Sequence, residues 1–174
     1  MTPNAAPDVA PFDTITLPIQ TADGWRDVTA AVHPRVPGLA VTMADFGAFR
    51  VTHRESGKAI GGWYTRADSA LLECAQWGAI CAAYGVDAST AKRFMAGLAA
   101  CAGQPVPFPG STATQRGTTR PHTVREWQAF TRESVRVDEF PWESPDDNPG
   151  HQALQLLATL PDPDAANAAA APGS

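Results

Sequence analysis

Residues Phe49–Trp63, FRVTHRESGKAIGGW, alternate side chains along FRVTH, turn through RESGK and resume at KAIGGW. In an extended strand, residues two apart share a face. Phe49, Val51 and His53 therefore lie on one side, and Arg50, Thr52 and Arg54 on the other. This predicts a β-hairpin with an apolar side turned to a core and a cationic side, extended by Lys58 and Arg66, turned to solvent.

Working outward, GLAVTM (residues 38–43) and FGAFRVTH (46–53) read as the strands before the RESGK turn, so a meander runs from Gly38 to Trp63. Upstream, DTITLPIQ places Ile15, Leu17 and Ile19 on one face at period two. After the turn residues TADG, WRDVTAAVH carries Trp25, Val28 and Val32 in a second extended segment. The two make a first hairpin, and HPRVPG separates it from the meander, because proline removes a backbone donor and restricts its predecessor.

At Thr65 the period changes from two to between three and four. Ala67, Ala70, Leu71, Cys74, Gly78 and Cys81 fall on one face, with Trp77, Ile80 and Tyr84 along its flank. The spacing predicts a helix from Arg66 to Tyr84, capped by Thr65 with Asp68 three residues on and stopped by Gly85. GVDAST then resets the chain, with Asp87 or Ser89 as the next cap, and AKRFMAGLAACAG predicts a second helix turning Phe94, Met95 and Leu98 inward. Residues 104–122 contain several prolines and read as a long basic loop. Thr123 and Glu126 have capping-box spacing at the head of a third helix, 123–137, with Trp127 and Phe130 on one side.

The expected architecture is α+β: an antiparallel meander of four or five short strands covered by two helices, then a third helix and a disordered tail. The boundaries are a flexible lead at 1–12, a core domain at 13–103, the loop, the third helix and an acidic tail at 138–174. Within the tail, HQALQLLATL (151–160) could form one short amphipathic helix.

The net charge of −5 hides a division. From Asp138 onward there are seven acids and no Lys or Arg, leaving 13 cations against 11 acids before it. A near-neutral body with an acidic end points to partners through local patches rather than through overall charge. No long apolar run suggests a membrane segment, and the N-terminus lacks the pattern of a signal peptide, so a cytoplasmic protein is expected. Cys74, Cys81 and Cys101 sit in helical stretches and read as buried free thiols. His33, His53, His122 and His151 stand at no metal-ligand spacing. No GxSxG, GxxxxGK[ST], HExxH or GxGxxG is present, and the residues call for no cofactor or metal.

Three surfaces remain as binding candidates. Arg50, Thr52, Arg54, Lys58 and Arg66 would form the cationic sheet face, which could hold phosphates, although Asp45, Glu55 and Asp68 nearly balance it and a plain solvated face has the same composition. Arg116, Arg120, His122 and Arg125 lie on the basic loop and could meet phosphate, an acidic partner or the chain's own tail. Phe140 and Trp142, set among acids in EFPWES, form a peptide-like motif that either docks back on the domain or is offered to another protein.

FRVTHRESGKAIGGWYTRADSA, a glycine-turned basic hairpin running into an alanine-rich helix, resembles two groups over residues 38–84. One is the three-strand-plus-helix DNA readers of the integrase arm-binding and AP2 type, in which a sheet enters the major groove. The other is the short accessory proteins of proteobacterial phages and plasmids, where "VTH, two or three residues, G, K or L, A, I" precedes such a helix. The second resemblance implies a mobile-element origin and a regulatory or host-interacting role. The combined expectation is a non-enzymatic protein that binds or inhibits a host protein, such as a component of nucleic-acid or defence machinery. The alternative is a DNA-binding regulator using the sheet face, with an enzyme of unfamiliar type third.

Overall fold

The structure, a computed structural model, describes residues 9–45, 47–115, 117–133, 135–136 and 147–163. Strands β1 (Asp13–Thr21) and β2 (Gly24–Val32) form the first hairpin, paired in register from Asp13↔Val32 to Thr21↔Gly24. The meander follows as β3 (Leu39–Asp45), β4 (Ala48–His53), β5 (Lys58–Ala59) and β6 (Trp63–Tyr64). The class is α+β, as the alternation predicts, in a sheet ordered β1-β2-β3-β4-β6 with β5 beside β4 and a last strand, Val135–Arg136, beyond β6. β9 (Val135–Arg136) runs parallel to β6 and is the one parallel pairing in the described sheet.

Alternation in β3 and β4 separates two apolar clusters. Leu39, Val41 and Val51 face the main core under α1 (Ala67–Tyr84), and His53 is buried on the same side. Ala40, Thr42 and Thr52 point the other way, and that side is not open. Leu17, Ile19 and Ala30 of the first hairpin close over it with Ala40 in a second cluster. The hairpin curls far enough for Gln20 N–H to donate to the Gly57 carbonyl at 2.9 Å, and a Cβ on Gly57 would meet Trp25 and the backbone of Pro18 and Gln20. Thr52 is buried and its hydroxyl meets that of Thr42 at 2.7 Å. A strand threonine reads as solvent-facing by polarity alone, yet two opposed hydroxyls satisfy each other in a buried sheet.

α1 ends at Gly85 as expected, but Thr65 does not cap it. Arg66 occupies the cap position in extended conformation without a side-chain bond, and Asp68 sits in the first turn. The helix is buried on several sides, not on one small-sided face. Trp77 and Ile80, placed on the flank by periodicity, are 1% and 0% exposed, because further helices cover them. α2 (Ala91–Cys101) is capped by Thr90, whose hydroxyl accepts from Arg93 N–H, rather than by Asp87 or Ser89. Asp87 instead accepts from Ser89 N–H and pairs with Arg93, and these contacts hold its carboxyl down at about 2. Phe94 and Leu98 turn inward, whereas Met95 stands 56% exposed.

The stretch after α2 is not a featureless loop. It forms a two-stranded ribbon, β7 (Thr112–Gln115) with β8 (Thr118–Pro121). α3 (Val124–Glu133) then starts with the predicted capping box, in which Glu126 N–H donates to Thr123 Oγ1 and Thr123 N–H to the Glu126 carboxylate. It stops before 137 because the chain turns into β9. Residues 149–158, expected within the tail, form α4 (Pro149–Ala158), which packs on α1 and sends Ala153 and Leu157 into the core. Arg35 Nη1 donates to the carbonyls of Leu157 and Ala158 at its C-terminal end, where a cation is favoured. The core therefore extends past residue 103 to Leu160.

Two stability tests follow from this packing. Gly38 has φ +84°, and a Cβ there would sit 2.2 Å from the Ala88 carbonyl oxygen. Gly38→Ala should destabilise the fold by about 2 kcal/mol or more, read by denaturant unfolding, since both the left-handed backbone and the contact oppose it. Burial lowers the pKa of His33 from 6.5, assisted by Arg35 and opposed by its bond to the Ala10 carbonyl and by Asp13. The unfolded chain then binds the proton more readily, so this contribution is complete above pH ~6.5 and declines as pH falls through the lower folded value. The unfolding midpoint should drop between pH 7 and 5, and His33→Gln should flatten that slope.

Candidate functional site

The sheet face proposed from alternation is dispersed by the structure. Thr52 is buried beneath the first hairpin, Arg50 and Arg66 are half-buried, and Arg54 and Lys58 are exposed around the β4–β5 turn. Of the loop residues, Arg120 and His122 belong to the ribbon and its root and Arg125 to the first turn of α3, while Arg116 lies outside the described residues. Phe140 and Trp142 also lie outside them. Arg120 forms a two-pronged pair with Glu126 at 2.6 and 2.8 Å, which holds that carboxyl well below the usual range.

His53 and His122 are spent on turns. His53 Nε2 is 3.0 Å from the Ala88 carbonyl, so this nitrogen carries the proton and Nδ1 accepts from the Ser56 hydroxyl at 3.0 Å. The ring stacks on Phe94 with centroids 5.4 Å apart. His122 Nδ1 meets the Ser111 hydroxyl at 2.9 Å and fixes the root of the ribbon. Neither ring contacts a carboxylate in these bonds, whereas the usual serine–histidine dyad is oriented by one.

The thiols are similarly quiet. Burial pushes Cys74 far above its ordinary value, pushes Cys81 up to about 12, and raises Cys101. That is the opposite of nucleophilic activation. Among the described residues, no three His, Cys, Asp or Glu side chains gather as a metal site, and no helix is long and apolar enough to cross a membrane.

A cleft of about 260 Å3 lies where the β4–β5 turn, α2 and the end of α3 converge. Trp77, Phe94, Leu98 and Ile60 give it an apolar floor, Met95 forms an exposed lip, and Lys58 and Arg132 supply cations. Among the described residues, no acid lines it. Lys58 and Arg132 form no ion pair among the described residues. The RESGK turn had already singled out Lys58. Met95 and Arg132 carry no local signal, because only the packing of three distant segments brings them beside it.

Two other depressions differ in chemistry. A groove of about 480 Å3 between α1 and α4 is lined by Leu72, Phe108, Leu156 and three glutamines without any charge. A smaller one beside Cys81 holds Arg35 and Asp162, which pair with each other. Compared with protein-family models, curated proteins and solved structures, the chain gives no match.

The thiol environment makes a direct prediction. An aromatic disulfide reagent at pH 8 should react with the native protein only slowly, and all three thiols should become reactive together on unfolding. Fast reaction of one native thiol would show an activated cysteine.

Proposed function

We propose that this protein is a non-enzymatic interaction module that captures an acidic segment of a partner protein through a bulky apolar anchor residue. The observation that carries this reading is the cleft of Trp77, Phe94, Leu98 and Met95 with Lys58 and Arg132 on it and no acid among its described lining residues. A buried apolar pocket supplies most of the energy of such contacts, and unpaired cations around it select and steer an acidic partner. At about 260 Å3 the cleft falls below the roughly 300–1,000 Å3 usual for small-molecule sites and suits a single large side chain. Met95 adapts to the anchor's shape, since its unbranched thioether repacks easily.

The biological setting that the resemblance implied, a mobile-element accessory protein acting on a host component, fits a binding module of this kind and remains part of the proposal. The absence of recognisable catalytic motifs and the structural use of both His–Ser pairs support a non-enzymatic reading. A DNA-reading role, by contrast, loses the open sheet face on which it first rested, because the β1–β2 hairpin covers Thr52.

Selection of a random peptide library on the purified protein tests this. Wild type should enrich peptides with Trp, Phe or Leu flanked by Asp and Glu, while Lys58→Glu combined with Arg132→Glu should invert the flanking charge. Met95→Asp should reduce affinity for the wild-type peptides at least tenfold. An unchanged enriched set in the charge-reversed variant, or no enrichment by the wild type, would overturn the reading.

A further inference from the structure

We infer that His33 is the sensor of an acid-released latch that ties the C-terminal end of α4 to the β2–β3 connection. The ring is buried and both of its nitrogens are engaged. Nε2 stands 2.9 Å from the Ala10 carbonyl, which can only accept, so the proton is on this nitrogen. Nδ1 is then bare and accepts from Arg35 N–H at 3.1 Å. The side chain of the same arginine reaches α4. Its Nη1 donates to the Leu157 and Ala158 carbonyls at 3.0 and 3.2 Å, and its Nη2 meets Asp162 at 3.4 Å. Backbone and guanidinium of Arg35 thus join the imidazole to the last turn of the helix.

A second proton undoes one ring contact and leaves the other. Nε2–H still donates to Ala10, whereas a protonated Nδ1 turns a donor toward the Arg35 N–H and that bond is lost. The charged groups acting on the ring are Arg35, which opposes the second proton, and Asp13 at the head of β1, which favours it; Asp162 is reached through Arg35. Phe12 covers the ring edge-on with centroids 5.3 Å apart. Burial first, and Arg35 with it, keep the pKa below 6.5 against the Ala10 bond and Asp13. The released state therefore binds the proton more readily, so the latch is closed above pH ~6.5 and loosens as pH falls below it. Arg35 and Asp162 also line the hollow of about 270 Å3 whose walls include Val36, Gly78 and Cys81, so release widens an apolar opening in acid.

Amide exchange of the full chain, followed residue by residue by NMR at pH 7 and pH 5 and expressed as protection relative to the unfolded chain, tests the latch. The amides of Thr159 and Leu160 close the end of α4 onto Leu156 and Leu157. In the wild type they should lose about threefold or more of their protection at pH 5. They should also exchange at least tenfold faster than the amides of α2 at both pH values, which marks an opening smaller than unfolding. His33→Gln, whose amide can donate to Ala10 and accept from Arg35 without titrating, should show no loss in acid. Arg35→Met should show the loosened end already at pH 7, with no further loss at pH 5. No acid loss in the wild type, the same loss in His33→Gln, a further loss in Arg35→Met, or protection equal to that of α2 would each overturn the inference.

Discussion

The fold depends on one buried side chain, Trp77. Its indole N–H donates to Glu73 one helical turn earlier at 3.0 Å, and its ring meets Trp127 of α3 at 4.7 Å and Phe94 of α2 at 5.8 Å. Phe108, ahead of the ribbon, continues the chain of rings through Trp127 at 5.4 Å. A tilted or edge-on arrangement suits the positive rim and negative face of each ring. One side chain of α1 thus packs against both α2 and α3 and helps set how they lie beside it, and with them where Met95, Arg132 and the ribbon root stand. Glu73 is buried with it, so the polar indole edge enters the core with a partner rather than at the cost of an unmet donor.

The sheet reinforces that arrangement by being covered twice. On one side α1 lies over Leu39, Val41 and Val51; on the other the first hairpin lies over Ala40, Thr42 and Thr52. β4 is consequently rigid at its His53 end, where Val51, Thr52 and His53 are all buried. The β4–β5 turn that carries Lys58 projects from this rigid end. A side chain placed there stands on a scaffold with little entropy left to lose.

Much of this was legible in local pattern. The alternation of FRVTH, the turn glycines, the helical spacing from Ala67 onward and the Thr123–Glu126 box each depend on nearest neighbours, and each appears in the structure. The unreadable parts are tertiary. Thr52 has the same alternation whether it faces water or Thr42, and only the curl of a distant hairpin decides between them. Trp77 sits off the small-sided stripe of α1, so periodicity assigns it to a flank until α4 and α3 wrap the helix. The ribbon had a signal in TATQ and TTRP, since threonine favours strands, but the prolines ahead of it suggested irregular chain instead. The short amphipathic helix in 151–160 was legible from its apolar spacing, but its acidic and proline-rich surroundings assigned it to a tail, and only the packing on α1 makes it part of the core.

The division between structural and available charges follows from the same packing. Arg35 is committed to the end of α4, Arg93 to Asp87, and Arg120 to Glu126; His53 and His122 are committed to serines in their turns. Each of these groups shortens or braces a connection, and each is thereby removed from solvent chemistry or from free pairing. Lys58, Arg125 and Arg132 receive no such assignment among the described residues. They also occupy two separate places: Lys58 and Arg132 around an apolar hollow, and Arg125 beside a polar arm. Apolar surroundings make a cation choose among proteins, since an anchor must be buried for the charge to act at short range. Lys58, Arg125 and Arg132 thus stand on two chemically different surfaces, and they share their lack of an ion pair among the described residues with Arg26, Arg54 and Lys92.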